Sequence, residues 1–334
     1  MNRWEREAGR SIAGETPARE AMIDILRGPD AEFLPILNAA FAVRRHFHGN
    51  RVRIHVLLNA KSGLCPEDCH FCSQSAISES DIDRYKLLSK AEMVDAARKA
   101  KDSHAWKFCI VTSTRGPSDK ELATICDAVR EIKRDVGIKI CTSLGHLTTP
   151  QAETLAAAGV DRFNHNLETS EERFPEVCTT HTYQDRVDTV RRAKAAGMEA
   201  CSGGILGMGE SDAEIVSMAF KARDEQVDSI PVNILDPRPG TPFAHLTPLT
   251  PQKSLLALCV FRFVNPSRDI RIAGGREVNL RSMWPLALFP CNSIFSSGYL
   301  TTPGNAPNDD IRTIREWGFE IEEHASAPRA NAEG

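Results

Sequence analysis

A short apolar run, I-H-V-L-L at residues 54–58, is followed almost at once by G-L-C-P-E-D-C-H-F-C at residues 63–72. The run has the length and composition of a buried strand. The loop after it carries three cysteines, Cys65, Cys69 and Cys72. Three thiolates this close in sequence can face one inorganic centre. The pattern predicts a strand that presents a metal site at its carboxyl end.

The cysteine triplet favours an iron–sulfur cluster over the other uses of cysteine. A cubane cluster with three protein ligands keeps one iron open to a small molecule. Structural zinc takes four protein ligands. His70 could be the fourth, but it lies between the outer cysteines, and no second C-x2-C or H-x3-H pair follows. Disulfides need an oxidising compartment, and the charged N-terminus lacks the apolar segment of a signal peptide.

Seven further β-rich runs follow, and helical patterns lie between them. The eight runs cover residues 54–58, 107–112, 138–142, 162–166, 199–202, 229–235, 269–273 and 293–295. S-x-x-E patterns at Ser89, Ser118 and Ser211 predict helix starts, as does Thr149 before Pro150. This alternation indicates an α/β fold with a parallel sheet and helices outside it. Eight candidate strands favour a (β/α)8 TIM-type barrel, whose active site lies at the carboxyl ends of the strands.

The chain is expected to have three parts. Residues 1–50 form an N-terminal helical extension, and residues 51–300 form the barrel core. Residues 301–334 form a C-terminal segment that completes the barrel mouth, with a low-complexity, disordered tail from residue 325.

Composition narrows the class of function. The formal net charge of −4 and the pI near 6.2 argue against nucleic acid as a partner. No apolar run approaches the roughly 20 residues that a membrane-spanning helix needs. We therefore expect a cytoplasmic protein without a membrane partner. Ten cysteines in such a chain indicate cofactor chemistry or buried thiols.

Three more cysteines lie in candidate strands: Cys109, Cys141 and Cys201. Singly, each is more typical of a small buried hydrophobe than of a ligand. Because alternate strand residues face the interior of a barrel, the three thiols could also converge on a second metal. Spacing alone leaves both interpretations open. Arg276 follows the seventh run, and its permanent charge indicates a carboxylate or phosphate partner by default.

Polar residues follow the fourth run. Asn164, Asn166 and Glu168 occupy alternate positions and are expected to share one face, whereas His165 is expected to point the other way. A polar stripe against the outer helices would be costly, so we expect it to face the barrel interior. The glycine-rich turn at residues 202–210 either allows close approach of a ligand or serves a tight turn.

The loop G-L-C-P-E-D-C-H-F-C-S-Q-S resembles the cluster loop of radical S-adenosylmethionine enzymes and, in detail, that of the biotin synthase family. Ordered matches run from about residue 41 to residue 322. They include K-F-C-I-V-T-S, K-I-C-T-S-L-G, D-R-F-N-H-N-L-E-T-S, C-S-G-G-I-L-G-M-G-E, I-P-V-N-I-L, R-I-A-G-G-R-E-V-N-L and N-S-I-F-S-S-G-Y-L-T-T-P. The resemblance implies a sulfurtransferase that inserts sulfur between two unactivated carbons of dethiobiotin, the last step of biotin biosynthesis.

The resemblance also implies the cofactors. Cys65, Cys69 and Cys72 would hold a [4Fe-4S] cluster whose open iron binds S-adenosylmethionine. One electron then cleaves that molecule to methionine and a 5′-deoxyadenosyl radical. A [2Fe-2S] cluster, the sulfur donor, would have as its ligands Cys109, Cys141, Cys201 and Arg276. The implied partners are a low-potential electron donor of flavodoxin or ferredoxin type, iron–sulfur assembly proteins and a second copy of the chain in a homodimer.

Further residues come from the same resemblance. The positions that resemble S-adenosylmethionine contacts are Asn166, Glu168 and Arg186 at the ribose and carboxylate, and Phe71 and Ile205 at the adenine. The positions that resemble substrate contacts are Asn164 and Asn233 at the ureido ring, and Thr301 and Thr302 at the carboxylate tail. Another barrel-type radical enzyme, such as a hydrogenase maturase, would not need the second ligand set. A non-catalytic iron–sulfur or zinc carrier would leave the polar stripe without a use.

Overall fold

The computed structural model describes residues 2–28, 30–296, 298–302 and 304–323, and the predicted disordered tail lies outside them. The strands are β1 (Arg51–Lys61), β2 (Lys107–Thr112), β3 (Lys139–Ser143), β4 (Arg162–Asn164), β5 (Glu199–Cys201), β6 (Gly204–Leu206), β7 (Ser229–Ile234), β8 (Asp269–Ile272), β9 (Ser293–Phe295) and β10 (Glu320–Ile321). The helices are α1 (Arg3–Ile12), α2 (Arg19–Leu26), α3 (Phe33–His48), α4 (Lys90–Asp102), α5 (Asp119–Glu131), α6 (Thr149–Ala158), α7 (Phe174–Val177), α8 (Tyr183–Ala195), α9 (Asp212–Asp224), α10 (Pro251–Val264), α11 (Arg276–Leu280) and α12 (Pro307–Glu316).

The sheet is parallel and closes on itself. Strands β1 to β5 pair in order, β5 and β6 both pair with β7, and β8 and β9 follow. Strand β9 then pairs with β1, with Ile54 opposite Ile294. Strands β5 and β6 both lie beside β7 and together occupy one strand position of the barrel. The described residues therefore form a barrel with eight strand positions and helices outside. The predicted TIM-type fold is confirmed.

The capping signals read from the sequence act as expected. Ser89, Ser118 and Ser211 each accept a hydrogen bond from the backbone N–H of a glutamate three residues on, and that glutamate bonds back to the serine. The exception is α6, whose N-cap is Thr148 rather than Thr149, because Thr148 is the residue whose hydroxyl accepts from the Gln151 N–H. One strand also ends early: β4 stops at Asn164, two residues before the predicted end.

The N-terminal segment packs against outer helices of the barrel, and the C-terminal segment reaches its lower end. Three helices precede β1, and α3 packs against α10. The C-terminal segment passes the mouth at residues 298–302 and then runs back, so that β10 pairs with the first residues of β1. The division at residues 50 and 300 stays a prediction. Among the described helices, none has the length and apolar character to cross a bilayer.

Candidate active site

A cavity of the described residues opens at the carboxyl ends of the barrel strands. Its volume is about 370 Å³. The predicted site residues along its wall are Cys65, Cys69, Phe71, Cys72, Asn164, Asn166, Glu168, Arg186, Ile205, Asn233, Thr301 and Thr302. We call this region the mouth. The structure therefore brings together two groups of predicted residues, the loop cysteines and the residues assigned to S-adenosylmethionine and substrate.

The three loop thiols line one wall of the mouth. Burial raises the pKa of Cys65, and it raises that of Cys72 to about 11. Without a metal these thiols are protonated at neutral pH, so metal binding releases their protons. His70 does not line the cavity; its ring lies edge-on to Phe243, with centroids 5.4 Å apart. The geometry therefore supports three loop ligands without the histidine.

A fourth thiol lies behind the loop. The Sγ atom of Cys178 is 3.7 Å from that of Cys69 and 3.4 Å from His181 Nδ1. The three ligand atoms are close enough to surround one metal ion. However, His181 Nδ1 lies 2.6 Å from a carboxylate oxygen of Glu67, and His181 Nε2 lies 2.9 Å from Arg186 Nε. Both ring nitrogens are already engaged, so this group is not a ready metal site.

Arg186 ties the polar wall of the mouth together. Its Nη1 atom donates to the Asn166 carbonyl at 2.8 Å and to Glu168 Oε1 at 3.2 Å. The other Glu168 oxygen is buried without a hydrogen-bond partner in the described residues. Burial outweighs the effect of Arg186 and raises the pKa of Glu168. A buried oxygen without a donor indicates a position at which a ligand can supply one.

The polar stripe differs from the sequence prediction at His165. Because β4 ends at Asn164, the strand alternation does not continue, and His165 lines the mouth beside Asn164 and Asn166. Its Nε2 atom is buried without a partner among the described residues. Its ring lies 4.8 Å from that of His146, centroid to centroid. The prediction that His165 points away is therefore wrong, and the spacing after a strand end could not reveal this.

An apolar patch lies beside the loop cysteines. Phe71 and Ile205 belong to the same small cluster of apolar side chains, which also contains Met208 and Leu235. Both face the cavity. A flat aromatic ligand such as a purine can pack on a surface of this kind.

The amides assigned to the substrate are held by the protein. Asn233 donates to the Gly204 carbonyl at 3.2 Å and accepts from the Gly274 N–H at 2.9 Å. Asn164 donates to Ser143 Oγ at 3.3 Å. An amide has two N–H groups and two oxygen lone pairs, so each side chain keeps capacity for a polar ligand while its orientation is fixed.

The two threonines lie at the rim. Thr301 and Thr302 line the mouth and also a neighbouring cavity of about 400 Å³, which Asp81 and Asp83 border. They therefore separate the interior of the site from a more polar outer space. Their hydroxyls can meet the polar end of a ligand that extends outward from the barrel.

The glycine-rich turn serves the packing of the fold. A Cβ atom on Gly203 would lie 1.9 Å from the Pro231 carbonyl oxygen, and one on Gly204 would lie 2.6 Å from the Glu168 carbonyl oxygen. These glycines allow the backbones of neighbouring strands to approach each other. Of the two interpretations left open by the sequence, the structure supports the tight turn at these two positions.

A second group of thiols lies deeper in the barrel. Cys109 and Cys141 are opposite each other on neighbouring strands. Each precedes by two residues a side chain that lines the mouth, Val111 or Ser143, and so points inward about 7 Å below it. All three strand cysteines, including Cys201, are buried. The prediction that alternate residues converge inside the barrel agrees with this geometry.

Arg276 does not join these thiols. The Gly274–Gly275 turn carries the chain out of the strand, and Gly275 has a positive φ of 80°. Arg276 begins α11, where Nη2 pairs with Asp310 at 2.7 Å and Nε with Glu277 at 3.0 Å. Its guanidinium lies over the Trp284 ring, 4.7 Å from the centroid. The carboxylate partner expected by default is present, and the assignment as a ligand beside the thiols is not supported by this position.

Arg271, five residues earlier, lies beside these thiols instead. It lies within β8, and its Nη1 atom is 3.9 Å from Cys201 Sγ. Nη2 donates to Ser229 Oγ at 2.8 Å, whereas Nε is buried with no partner in the described residues. Sequence reasoning missed this residue. The sequence signal that could have found it is its position inside the seventh β-rich run. Alternate residues of such a run face the barrel interior, as the strand cysteines do.

Charged side chains surround the deep thiols. Asp269 faces Arg162 at 3.1 Å and Arg271 at 3.5 Å, and all three are buried. Burial would raise the pKa of Asp269, but the two guanidinium groups outweigh it and hold that pKa well below its usual range. Lys107 and Arg162 both pair with Glu199. We call this layer, with the three thiols above it, the floor.

Known proteins resemble this chain in sequence over nearly its full length. Residues 61–222 match the model of the Radical SAM superfamily, and residues 231–320 match that of the Biotin and Thiamin Synthesis associated domain. The biotin synthase of Salinibacter ruber (strain DSM 13855 / M31) is 50% identical over 320 residues, which are 96% of this chain and 89% of the relative. That of Bacillus subtilis (strain 168) is 46% identical over 322 residues, 96% of each chain. The chain belongs to the biotin synthase family.

Solved structures of two other proteins share the fold. Methylornithine synthase superposes with a TM-score of 0.84 at 18% identity, over 95% of this chain and 97% of that one. The FeFe-hydrogenase maturase HydG from Carboxydothermus hydrogenoformans gives 0.81 at 17% identity, over 97% and 80%. These identities establish a shared architecture. Membership of the biotin synthase family favours a biotin-forming enzyme over the maturase alternative.

As a member of the biotin synthase family and the radical S-adenosylmethionine superfamily, the protein uses a [4Fe-4S] cluster and S-adenosylmethionine. The mouth suits both. Three thiols lie on one wall, and buried polar atoms of His165 and Glu168 have no protein partner in the described residues. The floor has a comparable set of donor atoms. Its three thiols are buried, and Arg271 Nε and both ring nitrogens of His55 have no hydrogen-bond partner in the described residues. Soft sulfur donors of this kind select iron–sulfur or other soft metals.

Proposed function

We propose that this enzyme converts dethiobiotin to biotin at the mouth, with a sulfur atom supplied from a second, [2Fe-2S] cluster at the floor. The observation that carries the proposal is the stacking of two thiol sets in one barrel. Cys109 and Cys141 lie two strand positions, about 7 Å, below Val111 and Ser143, which line the mouth together with the three loop cysteines. A substrate seated between them would have the radical source on one side and the sulfur source on the other.

At the mouth, the proposed ligands of the [4Fe-4S] cluster are Cys65, Cys69 and Cys72. The chemistry that this cluster and S-adenosylmethionine supply when bound is one-electron cleavage of the sulfonium, which provides a carbon radical for hydrogen abstraction. Arg186 is held by Asn166 and Glu168, so its charge has a fixed direction towards a carboxylate. The unpartnered Glu168 oxygen suits a ribose hydroxyl.

The apolar patch and the amides complete the binding surface. Phe71 and Ile205 would flank the adenine. Asn164 and Asn233 would bind the ureido ring, which needs both donors and acceptors from a dry wall. Thr301 and Thr302, at the rim, would meet the carboxylate tail. The barrel wall excludes water and holds the reacting groups close together.

At the floor, the proposed ligands of the [2Fe-2S] cluster are Cys109, Cys141, Cys201 and Arg271. Arg271 replaces the Arg276 of the sequence prediction, because Arg271 contacts Cys201, one of the floor thiols. A hydrogen bond with Cys109 and burial raise the pKa of Cys141 well above its usual range. The nearby cations Arg162, Arg271 and Lys107 would favour thiolates once a metal binds.

The proposal includes the partners that this chemistry requires. A low-potential reductant of flavodoxin or ferredoxin type would supply electrons at the exposed loop. Iron–sulfur assembly proteins would build the clusters. A homodimer and a cytoplasmic location remain parts of the proposal.

The test is reconstitution without oxygen, followed by addition of dethiobiotin, S-adenosylmethionine and a low-potential reductant. We expect biotin to form together with 5′-deoxyadenosine. Formation of 5′-deoxyadenosine without biotin, from protein shown spectroscopically to hold both clusters, would contradict the sulfur-insertion function. Absence of S-adenosylmethionine cleavage under the same conditions would contradict the radical function altogether.

A further inference from the structure

A line of hydrogen bonds runs from the cysteine loop to Arg186. Glu67, between Cys65 and Cys69, has one carboxylate oxygen 2.6 Å from His181 Nδ1. On the other side of the ring, Arg186 Nε donates to His181 Nε2 at 2.9 Å. All three side chains of this relay, Glu67, His181 and Arg186, are buried. The contacts of Arg186 with the polar wall involve its Nη1 atom and leave its Nε atom for His181.

The direction of these bonds fixes the state of the imidazole. An arginine donates and never accepts, so His181 Nε2 must be an acceptor. The ring proton is then on Nδ1, which donates to Glu67. His181 is therefore a neutral bridge in one tautomer. Its Nδ1 atom contacts a carboxylate, and its Nε2 atom contacts a guanidinium. This bond holds the Nε edge of the Arg186 guanidinium, whose Nη atoms contact the polar wall.

Both ends of the relay are anchored. Arg115 Nε lies 3.3 Å from the second Glu67 oxygen, and the Thr180 hydroxyl bonds to the first. At the other end, the two Nη atoms of Arg186 reach the oxygens of Asn166 and Glu168 and, at 3.8 Å, Cys69 Sγ. Every nitrogen of Arg186 thus contacts His181, Cys69 or the polar wall. A shift of the cysteine loop would therefore change the orientation of the Arg186 guanidinium.

We propose that Glu67 and His181 are positioning residues for S-adenosylmethionine: they transmit the position of the cysteine loop to the arginine that binds its carboxylate. This inference rests on the proposed role of Arg186. It follows that ordering of the loop and binding of S-adenosylmethionine favour each other through the relay, in addition to any direct contact at the metal. Such coupling is reciprocal, so bound S-adenosylmethionine also stabilises the loop.

The test separates the bridging function of His181 from its bulk. His181→Gln keeps one acceptor and one donor on a planar group, whereas His181→Leu removes both. S-Adenosylmethionine binding is measured by anaerobic calorimetry on reconstituted protein, with iron content determined on the same samples. We expect His181→Leu to weaken binding about ten- to a hundred-fold, the cost of losing hydrogen bonds to charged groups. Iron content and kcat at saturating S-adenosylmethionine should stay near wild type, and His181→Gln should recover most of the affinity.

A matched control is available at the other end of the barrel. His48 Nε2 lies 3.3 Å from Arg262 Nη1, so His48→Leu removes a similar histidine–arginine contact far from the mouth. It should leave S-adenosylmethionine affinity unchanged. Glu67→Gln provides a second variant: it keeps an acceptor for His181 but removes the charge, so we expect a smaller loss of affinity than in His181→Leu.

Three results would overturn the proposal. Wild-type affinity in His181→Leu would show that Arg186 does not need the bridge. Loss of iron in parallel with affinity would show that His181 supports the loop alone. Equal affinities in His181→Gln and His181→Leu would exclude the hydrogen-bond bridge. Failure of the underlying role is seen separately: if Arg186→Met binds S-adenosylmethionine as wild type does, the assignment of Arg186 is wrong whatever the relay does.

Discussion

The mouth and the floor of the barrel hold thiols in opposite surroundings. The mouth is an open cavity of about 370 Å³ whose polar wall includes a carboxylate oxygen with no hydrogen-bond partner in the described residues. At the floor, the thiols, Arg162, Asp269 and Arg271 are closed off from solvent, and the charges pair with one another. Open space suits ligands that enter and leave at each turnover. A closed, charge-balanced layer suits a group that is built in and retained.

This difference separates two kinds of damage. A change at the mouth should affect cleavage of S-adenosylmethionine first, since that is where the proposed cofactor contacts lie. A change at the floor should spare cleavage and affect sulfur insertion or the stability of the fold. The variants below test that separation.

The largest effect is expected from a loop cysteine. Cys65→Ser replaces a thiolate ligand with a hydroxyl that a soft metal binds poorly. We expect 5′-deoxyadenosine formation to fall to background, as measured by chromatography of anaerobic reactions. Cys126→Ser, a change in a buried thiol of the outer helix α5, should retain wild-type cleavage. Substantial cleavage in Cys65→Ser would contradict the assignment of the mouth.

Next in size is the effect of a floor cysteine. Cys141→Ser should still produce 5′-deoxyadenosine, because the mouth is intact, but it should make no biotin. Both products are measured in the same reaction. A variant with wild-type biotin yield would contradict the sulfur-donor role of the floor.

The two arginines of the seventh β/α unit give a direct comparison. Arg276→Met leaves Asp310 buried without its cation, a change that costs about 3–5 kcal/mol in comparable pairs. We expect a clear fall in melting temperature but an unchanged visible spectrum of the second cluster. Arg271→Met should instead alter that spectrum. If Arg276→Met changes the spectrum and Arg271→Met does not, the original assignment of Arg276 is correct.

The smallest effect is expected at Glu168. Because burial raises the pKa of this carboxyl, the folded state holds its charged form at a cost near neutral pH. Glu168→Gln should therefore stabilise the protein slightly, because Arg186 keeps His181 and the Asn166 carbonyl as partners, while it weakens S-adenosylmethionine binding. Asp269→Asn at the floor should do the reverse to stability, since two arginines depend on that charge. Thermal melting of both variants at pH 7 checks the signs.

The sequence predicted the mouth better than the floor, for physical reasons. Cys65, Cys69 and Cys72 are local in sequence, so their spacing alone indicates a shared site. The strand cysteines become a group only when the barrel closes. Arg271 and Arg276 differ by five residues, and only the exit of the chain at Gly275 decides which one faces inward.

Barrel topology itself was accessible from the sequence, since strand and helix periodicity and the capping boxes at Ser89, Ser118 and Ser211 are local signals. The direction of the His165 side chain could not be predicted from the sequence, because strand alternation fails where β4 ends. The relay through Glu67 and His181 was also out of reach: these residues are 114 positions apart in the chain and meet only through tertiary structure. Local chemistry is visible in sequence, whereas contacts between distant segments require the fold.

The most direct test of two separate metal sites in one barrel is spectroscopy of two triple variants. One replaces Cys65, Cys69 and Cys72 with alanine, and the other replaces Cys109, Cys141 and Cys201. Mössbauer spectra of both are recorded after anaerobic reconstitution with labelled iron. We predict that the first retains only the [2Fe-2S] signal and the second only the [4Fe-4S] signal. Loss of both signals in either variant, or the same residual signal in both, would contradict the account.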